Sequence, residues 1–144
     1  MERKRISGEK ITMNTYGIQK EVTGDFDVIL AQVKAELAKE GFGVLTEINV
    51  TETLKKKLNV DYTKYTILGA CHPQSAYQVL QKEPSIGLLL PCNVIVYQTG
   101  NTITVEAIRP TVAMKMVDNP ELAQIAQEIE GKLQSVVESV SGQE

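Results

Sequence analysis

"ILGACHPQSAYQVLQKEPSIGLLLPCNV", Ile67–Val94, sets two apolar, strand-like runs on either side of a segment bounded by Pro73 and Pro84, and it decides the fold. Upstream, "YTKYTILGAC" (Tyr62–Cys71) is rich in β-branched and aromatic residues, as a strand requires. "PQSAYQVLQKEP" then predicts a helix, because proline suits a first helical position and cannot continue one. "GLLLPCNVIVYQTGNTITVEAIRP" predicts a β-hairpin turning around Thr99, Gly100 and Asn101. Within it, Leu88–Leu90 form a continuous apolar run expected to be strand with both faces covered. Pro91 interrupts that run, which implies an edge or a bulge, since proline cannot donate to a sheet ladder.

Nearer the N-terminus, "TYGIQKEV" (Thr15–Val22) predicts a strand. "GDFDVILAQVKAELAKEG" spaces Phe26, Ile29, Leu30, Val33 and Leu37 along one helical face. Asp25 or Thr23 suits its N-cap, and Gly41 suits a left-handed C-terminal position. "FGVLTEINV" predicts a strand and "TETLKKKLNV" a short helix through Leu54 and Leu58. In "DNPELAQIAQEIEGKLQSVVESV", Asp118 or Asn119 caps a long helix begun by Pro120. Its buried stripe runs through Leu122, Ile125, Ile129, Leu133, Val136, Val137 and Val140, while Glu128, Glu130 and Glu138 are expected on a solvated face. The order β-α-β-(α)-β-α-β-β-α with a hairpin implies an α+β class, a sheet covered mainly on one face by helices.

Bulk properties narrow the function classes. At 144 residues, 42% hydrophobic and 23% charged, the chain suits one globular domain, expected over residues 13–144. A net charge of −3 and 5% aromatics offer neither a phosphate-gripping stripe nor stacking platforms, so no nucleic-acid partner is expected. No apolar run reaches the roughly 18 residues of a membrane span. Two cysteines make no disulfide framework, and with no export segment they imply reduced thiols in a cytoplasm. Residues 1–12, charged and poor in apolar side chains, are expected to form a disordered leader, with Met13 an alternative start.

The candidate chemistry lies in the opening stretch. A strand leading into a proline-started helix puts Cys71 and His72 at a helix N-terminus, where amide dipoles favour a thiolate. Adjacent side chains on extended backbone point to opposite sides, which opposes a Cys71–His72 dyad. The plain alternative is a packed Cys71 with His72 as a cap. Cys92 and Asn93 follow the irregularity at Pro91, either beside a ligand site or simply packed beneath a bulge. Cys71, His72 and Cys92 together match the ligand types of one catalytic zinc arrangement, although no clustered CxxC or HxxxH spacing supports it. Met114 and Met116 suit either an adaptable apolar pocket or core gap-filling. No phosphate loop, dinucleotide fingerprint or nucleophile elbow is present.

The segments "GFGVLTEINV", "LGACHPQSAYQVLQKEPSIGLLLPCNVIVY" and "VDNPELAQIAQEI" closely resemble domain-of-unknown-function family 302, over about Met13 to Val140. The resemblance implies a TBP-like fold of β-α-β(4)-α type, a homodimer, and Cys71, Pro73, Pro91, Cys92 and Asn93 as motif positions. It implies no particular activity. Where the family often carries asparagine before the first proline, this chain has His72, which weighs against a mechanism that depends on it. The expectation is therefore a small cytosolic, homodimeric binding or sensing module. Its small-molecule or metal pocket would lie near Cys71, Cys92 and Asn93. The competing expectation is a thiol- or zinc-dependent enzyme or redox protein using Cys71 and Cys92.

Overall fold

The computed structural model describes residues 9–143. In chain order the elements are β1 (Thr12–Met13), β2 (Gly17–Thr23), α1 (Phe26–Lys39), β3 (Gly43–Asn49), α2 (Val50–Leu58) and β4 (Tyr65–Cys71). They continue with α3 (Pro73–Lys82), β5 (Cys92–Thr99), β6 (Thr102–Ile108), α4 (Pro110–Ala113) and α5 (Ala123–Ser139). The strands make one antiparallel sheet in the order β1-β2-β6-β5-β4-β3. This confirms the α+β class, and with α2, α3 and α4 set aside the order from β2 onward is β-α-β(4)-α.

Register sorts the sheet into two faces. Leu68, Val94, Ala107 and Ile18 stand opposite one another across four strands, and all four are buried beneath the helical layer. One residue along, Ile48, Ile67, Ile95, Glu106 and Gln19 form a row on the other face. Helices α1 and α5 cover the first face through Ile29, Val33, Leu37, Ile129, Leu133 and Val137, each at most 4% exposed. Truncating one of these large side chains to alanine would cost about 2–5 kcal/mol through lost transfer energy and a cavity.

Local chemistry sets the element ends. The Asp25 side chain accepts from the Val28 N–H at 3.1 Å and caps α1. At the other end Gly41, with φ +86°, donates to Ala38 O while Phe42 donates to Leu37 O. This is the paired closure of a Schellman turn, and it buries Phe42 against the core. Asn119 caps a 3₁₀ turn over Pro120–Leu122, which runs straight into α5.

Four expectations need correction. Leu88–Leu90 are not strand: Pro84–Leu89 form a 3₁₀ turn, Leu88 is 89% exposed, and β5 begins only at Cys92. Pro84 both starts that turn and holds Glu83 extended, so the chain leaves α3 without entering the sheet. The β-bulge lies not at Pro91 but between Val44 and Thr46 of β3, and the Leu90–Pro91 peptide bond is cis. Glu130 is not solvated, because its carboxylate accepts from the Thr111 N–H at 3.1 Å and Oγ1 at 2.6 Å and pairs with Arg109. Finally, residues 9–12 of the expected leader join the fold: Glu9 accepts from the Gly142 N–H, and Thr12 pairs with Gln19. Residues 1–8 of it lie outside the described residues.

Lys20 ties these layers together. It points into the helical face, only 4% exposed, and its ammonium donates to Glu138 O at 2.6 Å and Val140 O at 2.7 Å. A cation there meets the negative end of α5 and satisfies carbonyls that the helix itself leaves open. Burial lowers its pKa, while Glu9 and Glu138 pull it up. Lys20→Met keeps the length and removes the donors. It should lower stability by about 2 kcal/mol in urea unfolding, since bonds from charged donors contribute that much; an unchanged midpoint would contradict this role.

Candidate functional site

The end of β4 passes into α3 through Cys71 and His72. Pro73 occupies the first helical position and His72 the N-cap, with extended backbone at φ −100°, ψ 98°. The imidazole makes no cap bond. Its Nδ1 instead shares a 2.9 Å hydrogen bond with Ser75 Oγ, which supplies the buried serine with its partner. Phe42, delivered by the Gly41 turn, meets the imidazole edge-on with ring centroids 5.4 Å apart. A side chain at Gly41 would stand 3.2 Å from His72 Nε2, so this glycine serves both its own φ and the ring beside it.

Pairing of Ala70 with Cys92 sets β5 beside that junction. The result is an apolar cavity of about 240 Å³ with Phe42, Cys71, His72, Leu80, Leu90 and Cys92 in its walls. The two thiols and the imidazole are its polar groups among otherwise hydrocarbon walls. Cys92 is 6% exposed and Cys71 half-buried, and both are unpaired. Burial, and secondarily the charge of Cys71, pushes the Cys92 thiol up from 9.0 to about 11. Burial and the raised pKa both disfavour a thiolate at Cys92.

The expected site residues divide between two places. Cys71, His72 and Cys92 line one cavity, but among the described residues no three His, Cys, Asp or Glu side chains form a metal-holding group. The zinc set thus gains no geometric support. Asn93 pairs with Gly69 and lies on the opposite face of the sheet. There it lines a broader groove of about 550 Å³ with Tyr16, Tyr62, Tyr65, Tyr97 and Glu106. Four of the five tyrosines in the chain gather in this groove. The low aromatic content concealed that clustering, although alternation along β4 and β5 places Tyr65, Ile67, Asn93, Ile95 and Tyr97 on one face. Of the two methionines, Met114 fills the core and Met116 is exposed.

A family model described as "Domain of unknown function DUF302" matches residues 18–140. The chain is 32% identical to an uncharacterized conserved protein DUF302 from Bacillus stearothermophilus, known from a crystal structure. That likeness covers 88% of this chain and 99% of the other, with a TM-score of 0.82. No curated protein matches the chain.

The two thiols should behave differently. Near neutral pH, Ellman's reagent should titrate Cys71 in the native protein and Cys92 only after unfolding. Because the folded pKa of Cys92 lies above its ordinary 9.0, its protonated state adds stability fully below that value. This contribution disappears as pH rises through about 11, and Cys92→Ala should remove that share of the alkaline loss. A native Cys92 that reacts as fast as Cys71 would contradict the assignment.

Proposed function

The chain belongs to the DUF302 family of domains of unknown function, and from that premise we propose that it is a binding or sensing module for a small apolar molecule. One observation carries the proposal: the cavity at the β4–α3 junction has hydrocarbon walls and a few convergent polar groups, Cys71, His72 and Cys92. That is the composition of small-molecule sites, whose few polar groups orient a ligand held by apolar contact. At about 240 Å³ it lies just below the usual range of such sites, which favours a ligand smaller than drug size. Binding would come from burying that ligand's surface, with His72 Nε2 or the Cys71 thiol setting its orientation.

The alternative, a thiol- or metal-dependent enzyme or redox protein using Cys71 and Cys92, finds its more accessible thiol in Cys71, since Cys92 is 6% exposed and burial pushes its thiol up to about 11. Two unpaired thiols suit the reducing cytosol that this proposal keeps. The homodimer also remains part of it. Edge strand β3 exposes Leu45 and Ile48, at 67% and 46%, as apolar surface for a second copy. The net charge of −3 favours no nucleic-acid partner.

Toluene is a suitable probe, since closed apolar cavities of about 150 Å³ already accept benzene. NMR titration should show saturable shifts confined to methyl groups around the cavity, Val79, Leu80 and Leu90 among them. Ala76→Leu, which adds hydrocarbon from α3 into the same space, should abolish those shifts while the fold survives. Absence of binding, or binding indifferent to that substitution, would overturn the proposal.

A further inference from the structure

The face of the sheet away from α1 and α5 carries a second concavity, separate from the thiol cavity. We propose that this groove binds an organic ammonium ion with an apolar body. Its floor is Ile95, and its walls include Tyr65 and Tyr97, stacked with centroids 5.3 Å apart and planes within 10°. Tyr62 leans towards them, 6.2 Å from Tyr65. Tyrosine rings attract cations through their electron-rich faces, as in the aromatic cages that hold alkylammonium groups.

The charge at one end is built rather than incidental. Glu106 is anchored by two neutral donors: Asn14 Nδ2 gives 2.7 Å to one oxygen and Gln19 Nε2 gives 3.3 Å to the other. Gly17 makes the arrangement possible, because any side chain there would occupy the space of the carboxylate. Amide donors fix the direction of the carboxylate but leave its negative charge uncompensated. Among the described residues no lysine or arginine lines the groove and none pairs with Glu106. The nearby Arg109, which donates to Asn14 O, is paired with Glu130, so an anionic ligand would be repelled by the carboxylate whereas an ammonium supplies its opposite charge. The volume of about 550 Å³ suits a small organic molecule, with the apolar body over Ile95 and the charged head at Glu106.

The full chain should be titrated by NMR with phenethylammonium and with phenethyl alcohol, its neutral counterpart. The ammonium should bind saturably, with shifts at Ile95 and the groove tyrosines, and the alcohol about tenfold more weakly or less, as expected for a cation–π and ion-pair site. Glu106→Gln retains an acceptor for Asn14 and should remove the preference for the ammonium. Ile95→Lys, a second variant that places a cation in the groove, should abolish ammonium binding if Glu106→Gln fails to fold. Equal affinity for the two probes, or no saturable binding, would overturn the proposal. So would a fall in native mass by light scattering in both variants without ammonium binding to the parent, because the face would then belong to a second copy. Toluene binding at the thiol cavity is read from different methyl groups, so either site can fail without the other.

Discussion

The space above Gly69 is the constraint on which the candidate site depends. A Cβ there would run into Thr46 Oγ1 and approach Pro91 Cγ to 2.9 Å, closer than real Cβ contacts come. Its φ is not unusual, so the need for glycine is one of room. Thr46 comes from β3 and Pro91 from the turn into β5, and both close over β4 at this point. Register pairs Gly69 with Asn93 and Ala70 with Cys92, which sets Cys92 next to the Cys71–His72 junction. A bulkier residue would separate the elements that wall the apolar cavity.

The rest of the molecule holds this arrangement by satisfying its buried polar groups. Lys20 on β2 and Gln32 on α1 both reach the C-terminal end of α5 and the residues that follow it. Gln32 donates to Ser141 O at 3.0 Å and accepts from the Ser141 N–H at 2.7 Å, while Lys20 holds Glu138 and Val140. Among the described residues no buried side-chain nitrogen or oxygen lacks a partner. Such groups are costly when left open, so these bonds fix the C-terminal segment in addition to its apolar stripe. Glu130 plays the same part at α4, binding Thr111 and Arg109. No helix among the described residues is long and apolar enough to cross a membrane.

Much of this was legible where the signal is local. The helical spacing of Phe26 to Leu37, Gly41 at its turn and the hairpin at Gly100 each follow from residues within one or two turns of chain, and the caps are narrowed to two candidates each, of which Asp25 and Asn119 accept. What escaped depends on partners far along the sequence. Leu88–Leu90 satisfy a strand pattern, yet the chain geometry around Pro84 turns them away from the sheet. The bulge at Leu45 answers to β4, not to a proline. Glu130 has nothing in its own helix to distinguish it from Glu128; its partners, Arg109 and Thr111, are brought to it by the fold. Glu106 and the tyrosines were hidden in the same way, because their convergence is set by register across β2, β6, β5 and β4. Cys71 and Cys92, singled out in the sequence, line one cavity, while register leaves Asn93 on the other face.

Gly69→Ala fills the space between Thr46 and Pro91, and its effect is read by the native-state alkylation rate of Cys92 alongside the thermal midpoint. Overpacking at this position should cost about 1–3 kcal/mol. By moving Pro91 and the start of β5, it should also expose Cys92, so that its alkylation quickens under conditions where the variant remains folded. A variant with the parent's thermal midpoint and a Cys92 still closed to reagent would contradict the account, because the space above Gly69 would then not be what holds the cavity together.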